Sequence, residues 1–442
     1  MKKLFFAVFM LLLFLSAGGS RLARADAVTD WNVRAGRAAM AACLSPTGNG
    51  LAEARMYAMV HVAIHDALNA INRRSRPYAL DTQAPSWASV DAAVAAAAHD
   101  VLVSVIDQLQ ESPQCVLDGK ASVEANYAAA LGAIPDGPAK TQGVAIGQEA
   151  AAEILALRAN DGSDRPLQDF FYPQGTNPGE WRFTPGVDFA FARGWGDVTP
   201  FVLRRSSQFR SGPPYRVGSK KYAADFNEIK SLGGDDITTP SARTAEQTQI
   251  GLFWIESSPL AWNRIARSVS ASTGLDLWEN ARLFGLLNMA MADGYIGSWE
   301  TKYHYNFWRP ITAIRLADTD GNPDTEGDPT WTPLQPTYPM PDHDSGHAVE
   351  GGVAAEVLKQ FFGTDHISFS ACSLTLPLVE EQCGGASEVL RSFESFTEAA
   401  EENGVSRILI GIHFRKAVED GIEHGRKIGN RAVNRFLKLV KK

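Results

Sequence analysis

The sequence predicts an all-α fold made of helical bundles, and three observations carry that prediction. Apolar residues recur at three- and four-residue spacing along most of the chain, the period of one helical face. No stretch alternates apolar and polar residues as a half-buried strand does. The periodic stretches are separated by segments rich in proline, glycine and aromatic residues, which punctuate helices.

Taken in order, residues 1–25 stand apart. Lys2 and Lys3 precede the apolar run "LFFAVFMLLLFLSAGG", and Ala23-Arg24-Ala25 offers a small-residue cleavage site, so the segment reads as a secretory signal peptide. An uncleaved membrane anchor is the alternative, but the run is short for a span. Helical periodicity then covers 51–73 ("LAEARMYAMVHVAIHDALNAINR"), 89–109 and 138–158. It resumes over 244–256, 275–305, 347–362, 387–413 and 417–440. The run "LFGLLNMAMADGYIG" comes nearest to a bilayer span, yet Glu279, Arg282 and Asp293 flank or interrupt it, so no span is expected after the signal. Residues 161–220 and 316–343 read as long loops, which in compact proteins carry function or wrap a second layer. Residues 26–442 are expected to form one helical domain, as an extended unit or two stacked bundles, with an active-site core at about 245–435.

Charge and cysteine content bound the partners and the compartment. Loss of residues 1–25 removes four basic residues and no acid, taking the formal net charge from −8 to −12. An acidic chain gives no electrostatic reason to bind nucleic acid. A secretory signal implies the periplasm or the cell exterior, where the four cysteines are free to pair. Cys372 with Cys383 would close a short loop, and Cys43 with Cys115 would join two early helices; buried free thiols are the alternative.

Three segments in the last third of the chain carry the chemistry. In "TKYHYNFWRPITAIR", Lys302 and Arg309 lie seven residues apart, which two turns of one helix would bring to one face. In "DSGHA", Ser345 and Gly346 precede a helical run, so a hydroxyl and a closely approachable backbone N–H sit at the positive end of a helix. In "SRILIGIHFRKAVEDG", Arg407 and His413 lie six apart, on one helical side or across a bend. Together they supply two guanidinium groups, an ammonium, a hydroxyl, an amide and two imidazoles. A tetrahedral oxyanion needs that set of donors, and the histidines His347 and His413 add a nucleophile or ligand and a proton carrier.

This arrangement resembles the vanadium-dependent haloperoxidases and their relatives, the bacterial class A acid phosphatases and type 2 phosphatidic acid phosphatases. The family motifs K-x6-R-P, P-S-G-H and S-R-x5-H correspond here to Lys302 through Arg309-Pro310, Asp344-Ser345-Gly346-His347, and Ser406-Arg407 through His413. The resemblance implies that Lys302, Arg309, Ser345, the Gly346 amide and Arg407 hold the oxygens of vanadate or phosphate. It implies that His413 bonds vanadium, or attacks phosphorus in a phosphatase, and that His347 is the acid–base residue. Vanadate would be the cofactor, with hydrogen peroxide, a halide and a small organic acceptor as partners, and no haem or iron. A phosphomonoesterase using the same pocket, with no cofactor, is the first alternative, and a non-catalytic oxyanion-binding protein the second. The length and long loops of the chain favour the haloperoxidase branch, by analogy.

The departures from the family pattern are specific. Asp344 stands where the family has proline, and Ala417 where many members carry an aspartate four residues beyond the metal-bound histidine. Orientation of His413 then falls to a carbonyl or another acid. Asp344 is expected to turn away from the anion or to pair with one of the bases, since a free carboxylate there would repel it. Glu256 sits where relatives have an acid paired with an anion-binding arginine, and Met340 where relatives tune halide choice. Trp299 reads either as one side of a halide pocket or as core, and His343 as a proton shuttle or loop surface. His61 and His65 have metal-pair spacing but no evident third ligand, so packed, hydrogen-bonded histidines are expected. "DTDGNPDTEGD" (318–328) resembles a calcium loop with Pro323 where the loop needs glycine, which leaves an acidic surface loop.

Overall fold

Most helices of this chain begin at a residue that caps them. The computed structural model describes residues 26–376, 383 and 388–440; the signal segment lies outside the described residues. Asp26 and Thr29 form a capping box on α1 (Ala27–Ala41), Asn49 caps α2 (Gly50–Ile71) and Ser89 caps α3 (Val90–Asp107). Proline near the first position opens α4 (Pro113–Gly132) and α5 (Pro138–Arg158), where its missing N–H has no helical partner to lose. Ser219 caps α6 (Lys220–Leu232), Thr244 caps α7 (Ala245–Phe253), and α8 (Ser258–Thr273) follows. Asp276 and Glu279 box the start of α9 (Leu277–Tyr305). After α10 (Pro310–Leu316) come α11 (Gly346–Phe362), α12 (Phe396–Leu409) and α13 (Arg415–Arg435).

The helices form two packed groups joined through α9. In the first, α2, α3 and α5 pack together, with α1 and α4 against α3. In the second, α11 packs on α13 and α12. The long helix α9 touches both α2 and α11, and nearly all of it is buried, including Leu286, Leu287, Met289 and Met291. One apolar core therefore runs through both groups. A smaller cluster around Tyr222, Phe307, Trp308, Trp331 and Phe414 packs α6 and α10 beside α13.

The α11–α13 contact is closer than side chains would permit. A Cβ on Gly352 would lie 2.2 Å from the Ile422 carbonyl oxygen, and one on Gly425 would lie 2.0 Å from that of Val349. Main chain meets main chain there, and only glycine fits.

The structure extends the sequence reading and corrects it in places. Helices α1, α4, α6, α8 and α10 add to the periodic segments. Residues 387–413 are not one helix: Arg391–Phe393 (β4) pairs antiparallel with Phe369–Ala371 (β3), and α12 starts only after the Ser395 cap. A second two-stranded pair, Gln168–Asp169 (β1) with Ala190–Phe191 (β2), ties the 161–220 loop to itself. Both cysteine pairs are bonded, Cys43–Cys115 and Cys372–Cys383.

Candidate active site

Lys302 and Arg309 reach the same cavity from two different helices. Lys302 lies in the last turn of α9, and Asn306 then adopts a left-handed conformation (φ 50°) that ends the helix. Arg309 is the residue before α10, held extended by Pro310. The expectation of two turns on one helical face is thus wrong, because proline disfavours helix at the residue before it and asparagine tolerates the turn. Both side chains are buried. Arg309 Nε donates to the Met340 carbonyl at 2.7 Å, and a terminal nitrogen donates to that of Ile412 at 2.8 Å. Lys302 Nζ donates to the carbonyls of Pro341 at 3.2 Å, Asp342 at 3.0 Å and Asp344. All three ammonium donors are therefore engaged by the loop before α11, so Lys302 faces the cavity from a fixed position. Burial pulls its pKa down to about 7, with Arg309 adding to the shift and Asp344 and Asp342 opposing it.

Ser345 precedes α11 but its side chain does not cap it, and its buried Oγ has no partner among the described residues. Gly346 lies on the cavity wall at the first position of the helix. The His347 ring is bonded to the Glu256 main-chain carbonyl, and its Nε2 is buried without a partner among the described residues. Burial, followed by the Arg407 charge, holds its pKa well below the ordinary value, so the ring is neutral.

Arg407 lies in the last turn of α12, and the chain bends through Gly411 (φ 82°) to bring His413 alongside before α13 begins. Arg407 donates to the Trp254 carbonyl at 2.9 Å, and its Nε has no partner among the described residues. His413 Nδ1 lies 2.8 Å from the Asp342 carboxylate, and its Nε2 lies 3.1 Å from Arg309. Burial and then the charges of Arg309, Lys302 and Arg407 hold His413 far below its ordinary pKa, hence neutral. Burial pushes Asp342 up to about 7 against the pull of Arg309 and Lys302.

Lys302, Arg309, Gly346, His347, Arg407 and His413 thus line one cavity of about 80 Å³, with Trp299, Met340, Tyr295, Phe191 and Ser257 among its other walls. At ~10–15 Å³ per water this holds several waters, or an oxyanion with a small co-substrate. Ser345, the residue before Gly346, is not itself part of the wall. The chemistry of the donor set fits a tetrahedral oxyanion. Among the described residues, three cationic side chains converge without a carboxylate on the wall, and Ser345 Oγ, His347 Nε2 and Arg407 Nε are buried polar atoms still lacking a partner.

The acids that the sequence left in question occupy different places. Asp342 takes the part of the aspartate missing at Ala417 and orients His413 from another segment. Asp344 turns away from the cavity, as expected, but its partner is none of the bases considered. Its carboxylate accepts from Ser298 at 2.8 Å and Ser211 at 3.0 Å and lies 2.8 Å from His424 Nδ1. Burial alone would raise its pKa; the charge and hydrogen bond of His424 outweigh that, and the net shift is downward. The Glu256 carboxylate pairs with Arg264 instead of Arg309 or Arg407, and only its main-chain carbonyl meets the site, through His347. His343 is buried, bonded to the Gly212 carbonyl at 2.8 Å, and is neither a shuttle at the cavity wall nor loop surface. Sequence reasoning missed Asp342 as the partner of His413, and it missed His424 altogether. The crowding of Asp342 and Asp344 before Ser-Gly-His was the one signal for the former, and "GIEHGRK" offered none for the latter.

The remaining candidates are structural. His61 meets Asn32 at 2.8 Å, and His65 meets Asp66 at 2.8 Å and Ser75 at 2.7 Å. In the 318–328 loop, Asp320 accepts from Asn322 and Thr325 within the turn. Among the described residues, one cluster of three ligand-type groups stands close enough for a metal, Cys372, Cys383 and Glu388, and its two cysteines are joined in a disulfide.

Comparison with known proteins places this site in context. Residues 282–442 match the family described as the VCPO second helical-bundle domain. The chain is 25% identical over 462 aligned residues to the vanadium chloroperoxidase of Curvularia inaequalis, covering 82% of this chain and 74% of that one. Its fold is similar to the first bacterial vanadium-dependent iodoperoxidase structure, with a TM-score of 0.74, 24% identity, and 94% and 97% of the two chains covered. A holo-type bacterial vanadium-dependent chloroperoxidase gives a TM-score of 0.71 at 18% identity, covering 93% and 97%. The C-terminal helices thus match the VCPO second helical-bundle domain, residues of all three motifs meet in one cavity, and in both respects the chain is similar to the vanadium haloperoxidases.

Proposed function

We propose that this protein is a vanadium-dependent haloperoxidase that oxidises a halide with hydrogen peroxide. The observation that carries the reading is the buried cavity in which Lys302, Arg309 and Arg407 converge on a neutral His413 already oriented by Asp342. Residues 26–442 act as one domain with its active-site core at about 245–435, completed by a wall from Thr47, Gly50 and Leu51 of the N-terminal half.

Arg309 and Arg407 would hold the oxygens of vanadate, with the Gly346 amide and the Ser345 hydroxyl at the positive end of α11. Lys302 contributes charge more than direct donors. His413 Nε2 would be the protein's ligand to vanadium, its ring fixed by the hydrogen bond to Asp342. When bound, vanadate supplies Lewis acidity toward hydrogen peroxide. His347 Nε2 holds or releases a proton at the cavity, and the Glu256 carbonyl fixes the ring from behind. Trp299, Met340 and Phe191 exclude bulk water where the halide would enter. A small organic acceptor would take the halogen afterwards. Two disulfides support a periplasmic or secreted location, and no described helix is long and apolar enough to cross a membrane.

The test is halogenation by the purified protein with bromide or iodide and peroxide, with and without added vanadate, beside hydrolysis of a phosphomonoester. Vanadate-dependent halogenation is expected. Hydrolysis that vanadate inhibits, without halogenation, would overturn the reading in favour of a phosphatase. Vanadate binding with neither activity would leave an anion-binding protein.

A further inference from the structure

Ten α-helices among those described begin at Ser, Thr, Asp or Asn, and in eight of them that side chain caps the helix. The two exceptions both stand at the anion cavity. One is Ser345, described above. The other is Ser257, which precedes α8, lies on the cavity wall and directs its hydroxyl to the Glu53 carboxyl of α2. Ser257 gives up its cap for the Glu53 contact, whereas the Ser345 hydroxyl has no partner among the described residues.

Glu53 is fully buried, and among the described residues it makes no ion pair and its Oε1 has no hydrogen-bond partner. The groups around it come from four elements. Tyr57 lies on its own helix, Ser45 on the preceding loop, Glu256, Ser257 and Arg264 at the start of α8, and Tyr295 on α9. Burial raises its pKa to about 7; Ser257 and Ser45 oppose the shift, Glu256 adds to it, and Arg264 opposes it. The carboxyl is thus neutral in mildly acidic solution. Residues 256 and 257 also link both proton-handling groups of the cavity, since the Glu256 carbonyl holds the His347 ring while Ser257 holds Glu53.

We propose that Glu53, acting through the Ser257 hydroxyl, is a second proton source for the anion cavity, approached from the N-terminal half of the fold. The inference rests on the haloperoxidase reading, whose net reaction consumes one proton. The halide gives two electrons to hydrogen peroxide and the O–O bond breaks. One oxygen bonds the halogen as hypohalous acid, the other leaves as water, and one proton is consumed. Ser257 gives its proton to the cavity and takes the Glu53 proton in the same movement. Water entering the cavity between turnovers returns a proton along the same path.

The experiment compares the vanadate-loaded wild type with Glu53→Gln and Ser257→Ala in bromide oxidation across pH 5 to 9, with vanadate affinity measured separately by calorimetry. Glutamine keeps the shape and still accepts from Ser257, and the serine variant leaves Glu53 in place, so the two fail to fold for different reasons if at all. Both variants are expected to bind vanadate within about two-fold of wild type and to lose about 10-fold or more in kcat below pH 7. Above pH 7, where Glu53 itself has ionised, they should converge with the wild type, whose rate falls there. Ser257→Thr should restore the acid-side rate. A wild-type rate at pH 6 in either variant, or a loss equal at every pH, overturns the proposal. A wild type that binds vanadate and oxidises no halide overturns the haloperoxidase reading itself.

Discussion

Replacement of Asp344 by asparagine isolates the least family-like residue of the site. The side chain keeps its volume, but the oxygen facing His424 and Ser211 becomes an amide nitrogen. The wild-type carboxylate is fully buried and is satisfied by three groups at 2.8–3.0 Å. A hydrogen bond to a charged group contributes ~1.5–3 kcal/mol, and breaking a buried pair costs ~3–5 kcal/mol. Asp344→Asn keeps the Ser298 contact and loses the His424 pairing, so a loss of about 3 kcal/mol is expected, close to a hundred-fold in the folding equilibrium. Urea denaturation followed by tryptophan fluorescence measures it. The pH dependence supplies the sign. Because the native pKa of Asp344 is depressed, its contribution is fully present above the unfolded carboxylate value and disappears as pH falls through the native one. The gap between wild type and variant should hold at neutral pH and close below about pH 4. Equal stability at pH 7, or a gap unchanged far below pH 4, would refute the assignment of Asp344 as a paired, buried anion.

Two further outcomes follow from the same geometry. Asp342→Ala removes the acceptor that orients His413 and should weaken vanadate binding about 10–100-fold, read by calorimetric titration; unchanged affinity would mean that the ring is positioned by Arg309 alone. The double variant Cys43→Ser, Cys115→Ser opens a cross-link between residues 72 apart in sequence and should lower stability by about 4 kcal/mol, seen as an earlier urea midpoint in the oxidised protein and no difference after reduction.

What was readable in the sequence was local. Ser-Gly-His at a helix start, and Arg407 with His413 across a bend, are short-range patterns whose spacing survives folding. The Lys302–Arg309 pair was read correctly as convergent and wrongly as helical, because periodicity does not register a left-handed residue such as Asn306. The partners that complete the site lie far away in sequence: Asp342 and His413 are separated by 71 residues, Asp344 and His424 by 80, and Glu53 and Ser257 by 204. A single sequence does not encode which distant polar group will meet which, because the packing of intervening helices decides it. The two unfulfilled serine caps illustrate the same point, since a residue that favours capping is indistinguishable in sequence from one diverted to another task.

The glycine contact between α11 and α13 has a consequence for how this site can change. The Ser345-Gly346 end of the cavity belongs to α11, and His413 stands two residues before α13. The gap across which an anion is gripped is therefore set by the spacing of two helix axes, gauged by Gly352, under two turns beyond Gly346, and Gly425, about three turns into α13. Substitutions on the wall alter charge and donors inside a jaw of fixed opening. A variant adapted to a larger anion would have to widen that jaw, and the residues to change for it never touch the anion.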